Sequence, residues 1–245
     1  MYQPHEFAPT DTGYRGPVPS WEPGAPSLWL VDARQEGERA RRLAPDILDD
    51  EELGRAGSLV VEADRLCYLA SHVALRMLLG ARLGVAPAAV PLRREPCPSC
   101  GGPHGRPATD GGVHFSLSHT RGIALLAFAG TPVGADVEAT PQARTVAEIG
   151  DQLHPAERRE LAELPEDQRP AAFVRAWTRK EAYLKGTGFG LAGGLSHDHL
   201  GTGPHPQPGP AGWTVTDVAV PAGHAAAVAV RTAGRAPATA ADRRK

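Results

Sequence analysis

The clearest pattern along the chain is a helical period over residues 59–79. There Leu66, Leu69, Val73 and Met77 recur at three- and four-residue steps, and Gly80 and Gly84 supply stops. Ahead of it, Leu28-Trp29-Leu30-Val31 predicts a strand, and Ala44 to Leu53 a short acidic helix or turn. Behind it, residues 85–112 carry Pro, Gly and two Cys with no period, which predicts loop with one strand near Val90-Pro91-Leu92.

A β region follows. Val113, Phe115 and Leu117 alternate with His114, Ser116 and Ser118, one face in and one face out. Ile123 to Ala129 is an apolar strand, Gly130-Thr131-Pro132 turns the chain, and Val133, Ala135 and Val137 then alternate with Gly134, Asp136 and Glu138. Helices are expected over Pro155 to Leu164, with Pro in the first turn where its missing N–H costs nothing, and from about Pro170 to Lys185, with Phe173, Trp177 and Leu184 on the apolar side. Residues 201–212 read as a Gly/Pro loop, and Trp213 to Val220 with Ala225 to Val230 as a closing hairpin.

These elements predict an α+β fold. Helix 59–79 with strands 113–129 rhymes weakly with helix 170–185 and strands 213–230. Two similar halves related by a pseudo-two-fold would place the active site in the cleft between them. The expected organisation is a disordered N-terminal tail over 1–26, an α+β half over 27–112, a second half carrying the chemistry over 113–231, and a disordered tail over 232–245.

Composition narrows the function classes. The 245 residues carry 26 Lys+Arg against 28 Asp+Glu, a formal charge of −2, which removes the electrostatic case for a nucleic-acid binder. A chain this long buries enough surface for a core without staples. Three cysteines make no disulfide framework, so a reducing cytoplasm is the expected location. Met1 to Pro26 lacks the basic start and apolar run of a signal peptide, and Ile123 to Ala129 is far short of a membrane span of about 20 residues. A soluble protein with no membrane partner is expected.

Three constellations carry candidate chemistry. Asp136 and Glu138, at i and i+2 on a strand, leave from one face; they are either a solvated acidic edge or ligands for a hard divalent ion that also takes phosphate. Glu181 and Lys185, at i and i+4 on a helix, are either an ordinary surface ion pair or a third carboxylate beside a phosphate clamp. Ser118-His119 ends the alternating strand; no G-x-S-x-G elbow accompanies it, so a hydrolase nucleophile is excluded. Arg106, in Gly105-Arg106-Pro107, and Arg65 on the first helix are surface arginines taken singly, and phosphate donors if they converge.

The order and spacing of these motifs are similar to a known family. Gly105-Arg106-Pro107, Phe115-Ser116-Leu117-Ser118-His119, Val133-Gly134-Ala135-Asp136-Val137-Glu138 and Trp177-Thr178-Arg179-Lys180-Glu181-Ala182-Tyr183-Leu184-Lys185 resemble the motifs of the 4'-phosphopantetheinyl transferases of the Sfp type. The resemblance spans about residues 45–230. It implies a monomeric, Mg2+-dependent enzyme, with Mn2+ as the alternative ion, that moves 4'-phosphopantetheine from coenzyme A to a serine of an apo acyl- or peptidyl-carrier protein and releases 3',5'-ADP. Asp136, Glu138 and Glu181 would hold the metal. Glu181 would draw the serine proton, Lys185 would neutralise the pyrophosphate, and Arg65, Arg106, Pro107, Ser118 and His119 would contact the nucleotide. Polyketide or nonribosomal-peptide synthesis is the implied setting. Arg106 stands where the family has Lys, and the stretch before the first helix is acidic (Asp49, Asp50, Glu51, Glu52) with only Arg55 as a cation.

The rival readings are a metal-dependent phosphohydrolase using the same acids, and a non-catalytic coenzyme A- or carrier-binding protein of the same fold. Cys97-x-x-Cys100 followed by His104 reads chiefly as a loop with two reduced thiols, with half a zinc site as the alternative. Gly186, Gly188 and Gly190 close a helix rather than open one, so they predict a cap and a loop at the cleft mouth instead of a dinucleotide fingerprint.

Overall fold

The computed structural model describes residues 1–10, 13–22, 24–98, 100–103, 105–190 and 194–232. The expected C-terminal tail, apart from residue 232, lies outside the described residues. The strands are β1 (His5–Glu6), β2 (Ser27–Asp32), β3 (Arg93–Arg94), β4 (Pro107–Ala108), β5 (His114–Thr120), β6 (Ile123–Ala129), β7 (Val133–Ala139), β8 (Trp213–Asp217) and β9 (His224–Arg231). The α-helices are α1 (Ala33–Ile47), α2 (Asp50–Ser58), α3 (Glu62–Leu83), α4 (Ala143–Ile149), α5 (Pro155–Glu163) and α6 (Arg169–Thr187).

Two sheets organise this α+β fold. One has the order β1-β2-β6-β5 and the other β7-β9-β8. The all-apolar β6 lies at the centre because both its faces are covered. Ala124, Leu126 and Phe128 face the helical layer of α1 and α3. Ile123, Leu125 and Ala127 join Val133, Ala135 and Val137 of β7 and Val228 of β9 in one apolar layer shared by the two sheets. The far side of the second sheet is closed by α6, through Ala182 against Val215, Ala227 and Ala229.

β5 and β7, the facing edges of the two sheets, are joined by side chains. Ser116 Oγ accepts the Ala135 N–H at 3.0 Å, Ser118 bonds Asp136, and the Thr120 hydroxyl meets Glu138. The alternation over β5 separates the two sets of side chains as expected, but its Ser116 and Ser118 face is turned onto β7 instead of out to solvent, adding polar links to the apolar layer the sheets share.

Several expectations are corrected. The described residues among 1–26 do not form a loose tail: β1 pairs with β2, Phe7 is buried in the core, and Tyr2 bridges to Val218 beside the second sheet. The Trp29 indole donates to the Tyr14 hydroxyl at 3.1 Å, and Trp21 stacks under the Arg82 guanidinium. β6 pairs with β2 and β5 with β6, so the strands over 114–129 belong to the same sheet as Ser27–Asp32 and not to the sheet of β7, β8 and β9. α3 continues through Gly80, which lies where the backbones of Val85 and Pro87 press on the helix, and stops at Gly84 in the left-handed region (φ 71°). It is long and apolar enough to cross a membrane, but two-thirds of its most apolar stretch is buried inside the fold (67%).

Candidate functional site: an acidic pocket beside an arginine-lined cleft

α6 lies unusually close to β7. A side chain at Gly134 would collide with the Ala182 carbonyl and the Gly186 backbone, so only glycine permits the contact. That approach brings one face of α6 over Asp136, which is 2% exposed. Lys185 Nζ lies 2.6 Å from Asp136 Oδ1 and donates to Ser118 Oγ at 3.0 Å. The Ser118 hydroxyl itself donates to Asp136 Oδ1 at 2.8 Å. Every partner sits on one oxygen; Asp136 Oδ2 is buried with no hydrogen-bond partner.

The other two acids feel the same pocket. Burial first, then repulsion from Asp136, raises the Glu138 carboxyl, against the opposing Thr120 hydroxyl and Lys185 ammonium. Burial and then Asp136 also raise Glu181, with Lys185 opposing and Glu138 adding to the push. Lys185 pairs with Asp136 and acts at longer range on the other two, and Arg121 also opposes the rise at Glu138; both glutamates stay raised, so a further cation would relieve them.

Among the described residues, no three His, Cys, Asp or Glu side chains stand close enough to cage an ion by themselves. Mg2+ does not ask for such a cage: it binds through one or two carboxylates and completes its shell with water and substrate phosphates. The Asp136 oxygen without a partner among the described residues and the mutually repelling acids fit that ion, which one or two of Asp136, Glu138 and Glu181 could hold.

Beyond Lys185 opens a cleft of about 1330 Å³, larger than the usual range of about 300–1,000 Å³ for small-ligand sites and of a size for a nucleotide with a long arm. His119 forms part of its wall at the end of β5, with Arg106 and Pro107 beside β4. Partial burial, then the neighbouring His72 and Lys185, lowers the His119 imidazole. Arg106 is already engaged: its guanidinium pairs with Glu95 (Nε–Oε2 2.6 Å) and donates to the Gly186 carbonyl at 2.8 Å, tying the β4 loop to the end of α6. Gly188 caps α6 in the left-handed region (φ 83°), so that glycine series does close the helix.

The structure does not bring Arg65 to the cleft wall. Its two terminal nitrogens are engaged at the start of α3, on Glu62 at 2.9 Å and the Leu59 carbonyl at 2.7 Å, while its Nε is buried without a partner among the described residues. Other cations take that place. Arg55 on α2 and Arg93 and Arg94 on β3 line the cleft, and the two β3 arginines are exposed. Sequence reasoning passed over this Arg-Arg pair because it sits in a stretch without a period; two adjacent cations a short loop ahead of Gly105-Arg106-Pro107 were the available signal.

His72 was missed as well. It lines the same cleft, stacks on Tyr68 with 3.9 Å between ring centres, and holds Glu52 at 3.0 Å. Cys97 and Cys100 border the cleft too, in a turn closed by the Gly101 N–H on the Cys97 carbonyl. His104, the third member of the alternative zinc reading, lies outside the described residues.

An acid pocket short of positive charge, opening on an arginine-lined cleft, is chemically suited to phosphoryl transfer. The model of the 4'-phosphopantetheinyl transferase superfamily matches residues 132–220, which include Asp136, Glu138, Glu181 and Lys185. The chain is 34% identical over 168 residues to the 4'-phosphopantetheinyl transferase HetI of Nostoc sp., covering 67% of this chain and 69% of that protein. Shorter matches are to the 4'-phosphopantetheinyl transferase gsp of Aneurinibacillus migulanus (30% over 89 residues, 36% of this chain and 37% of the other) and to psf-1 of Bacillus pumilus (34% over 84 residues, 34% and 35%). The chain belongs to the 4'-phosphopantetheinyl transferase superfamily.

Proposed function

We propose that this protein is an Sfp-type 4'-phosphopantetheinyl transferase that converts apo acyl- or peptidyl-carrier proteins to their holo form. It takes the group from coenzyme A, depends on Mg2+, and acts as a cytoplasmic monomer without nucleic-acid or membrane partners. The halves, 27–129 and 133–231 with the N-terminal segment laced across both, are related by a pseudo-two-fold, and coenzyme A lies between them. In support, each half is an antiparallel sheet backed by a long helix, α3 on the first and α6 on the second.

In the reaction a carrier serine oxygen attacks the β-phosphorus of coenzyme A, a new O–P bond forms, and the bond to the adenosine-side phosphate breaks to release 3',5'-ADP. Asp136, Glu138 and Glu181 would hold the Mg2+, which when bound would supply charge stabilisation on the diphosphate. Glu181 takes the serine proton. Lys185 moves between Asp136 and the pyrophosphate oxygens, and Ser118 orients it. His119, Arg106 and Pro107 contact the nucleotide end. Arg55, Arg93 and Arg94 take over the phosphate contact expected of Arg65.

The observation that supports this reading is the buried Asp136, paired with Lys185 through one oxygen and lacking a partner on the other among the described residues, with Glu138 and Glu181 both raised by its charge. The test is incubation with coenzyme A, Mg2+ and a panel of apo carriers. Mass gain by a carrier with matching release of 3',5'-ADP is expected. Phosphate release without any carrier would favour a phosphohydrolase, and coenzyme A binding without turnover would favour a binding protein.

A further inference from the structure

Immediately before Glu181, α6 carries two cations for which the transfer reaction has no use. Arg179 and Lys180 are 0% and 2% exposed. Arg179 makes a two-point pair with Asp217 of β8, at 2.8 and 2.7 Å, and donates to the carbonyls of Gly201 at 2.7 Å and Gly203 at 3.0 Å. Lys180 pairs with Glu157 of α5 at 2.9 Å and donates to the Asp198 carbonyl.

Glu157 is itself fully buried and accepts the N–H groups of Leu200 at 2.9 Å and Gly201 at 3.1 Å. Residues 198–203 are thus strapped onto α5 and α6 by buried charge.

Stability alone is a poor reason for such a network. Removing two ions from water costs several kcal/mol each, and a well-packed apolar replacement is often as stable. Geometry offers a better one. Successive helical residues point about 100° apart, so anchors at 179 and 180 that run to β8 and to α5 leave α6 no freedom to roll. At a side-chain radius of about 5–6 Å, a roll of about 20° would carry the Glu181 carboxylate by about 2 Å. The close contact at Gly134 sets the distance of α6 from β7, and the buried pairs set its rotation.

We propose that the Lys180–Glu157 pair, with Arg179–Asp217 beside it, is a positioning clamp that holds α6 in the one rotation where Glu181 and Lys185 face Asp136. The proposal rests on Glu181 being the proton acceptor in phosphopantetheine transfer. Lys180 and Glu157 touch neither substrate; they act through the helix.

The test compares the wild-type enzyme with the double variant Lys180→Met, Glu157→Gln, which removes both charges and keeps an oxygen for the Leu200 and Gly201 N–H groups. Because Glu157 Oε2 also accepts the His154 N–H that caps α5, at 3.1 Å, the double variant is expected to fold with a lowered Tm and a coenzyme A KM within about twofold. Its kcat should fall by about tenfold or more, as expected for a catalytic group displaced by about 1 Å. Lys180→Arg keeps the pair around a larger head and should give an intermediate kcat at unchanged KM. A folded double variant with kcat within twofold of wild type would overturn the clamp. If the double variant does not fold, Lys180→Arg decides alone: the intermediate kcat supports the clamp, while wild-type kcat or a second failure to fold overturns it. Absence of transfer by the wild-type enzyme would instead overturn the reading of function, and the clamp with it.

Discussion

Two acidic groups flank the same cleft and are built on opposite terms. At the start of α2, Asp49 and Glu52 form a capping box, each side chain accepting the other's backbone N–H. The buried Arg76 guanidinium meets Glu52 at 2.6 Å and Asp49 at 2.5 Å, and His72 takes the remaining Glu52 oxygen. Burial alone would raise the Glu52 carboxyl, but His72, the Asp49 N–H and Arg76 outweigh it and hold it below the usual range. In the other group Lys185 pairs with Asp136, whose second oxygen lacks a partner among the described residues, and the Glu138 and Glu181 carboxyls are pushed up. The matched acids tie α2 to α3; the under-compensated ones are where a further cation would be relieving.

The same chemical change at the two places should therefore have opposite consequences. Glu181→Gln is expected to abolish transfer, leave coenzyme A binding in place, and leave stability equal or slightly higher, because it removes a repelled charge. Carrier mass, coenzyme A titration and a melt measure all three, and a near wild-type rate would remove Glu181 from the mechanism. Glu52→Gln should instead lower stability by roughly 1–3 kcal/mol, the cost of weakening a buried charged hydrogen-bond set, with catalysis retained in the folded fraction. A denaturant melt showing no loss would mean the pairing there is idle.

The pH dependence sharpens the contrast. Glu52 has a folded-state pKa below its unfolded value of about 4.3, so its contribution is fully present above that value and is lost as pH falls through the folded one. Glu138 and Glu181 have raised values, so their charged forms cost stability at neutral pH and the cost is relieved as pH falls. Melts from pH 7 downward should show a smaller acid loss in Glu52→Gln than in wild type; an unchanged slope would contradict the assignment. The smallest effect is expected at Arg106→Ala, a severalfold rise in coenzyme A KM with kcat little changed. An unchanged KM would take Arg106 out of the pocket.

The parts of this molecule that were legible in its sequence are those with a strong period and a single environment. β6, β7, α3 and α6 fall in that class, and they carry Asp136, Glu138, Glu181 and Lys185. α1 was not legible because its buried face is made of Ala33, Gly37, Ala40 and Ala44, small residues that fit against α3 without leaving a hydrophobic stripe. The N-terminal segment has no period either; its order comes from Phe7, Tyr14 and Trp21, whose partners are distant in the chain. Motif spacing singled out Asp136, Glu138 and Glu181 as candidates, but it could not show that Arg65 is engaged by Glu62 and Leu59, nor that Arg93 and Arg94 line the cleft. The first depends on the turn into α3, the second on how β3 folds back along β4. The acidic stretch at Asp49 and Glu52 looked out of place beside a nucleotide site because Arg76, its partner, lies more than a helix away.

The central claim is that the under-compensated acids hold a divalent ion on the diphosphate of coenzyme A. Its most direct measurement is the mass of an apo carrier protein after incubation with coenzyme A and enzyme stripped by a chelator, then with Mg2+ returned. Transfer should stop in the stripped enzyme, resume with Mg2+ in the wild type, and fail to resume in Glu181→Gln. Transfer that continues undiminished in the stripped enzyme would contradict the claim.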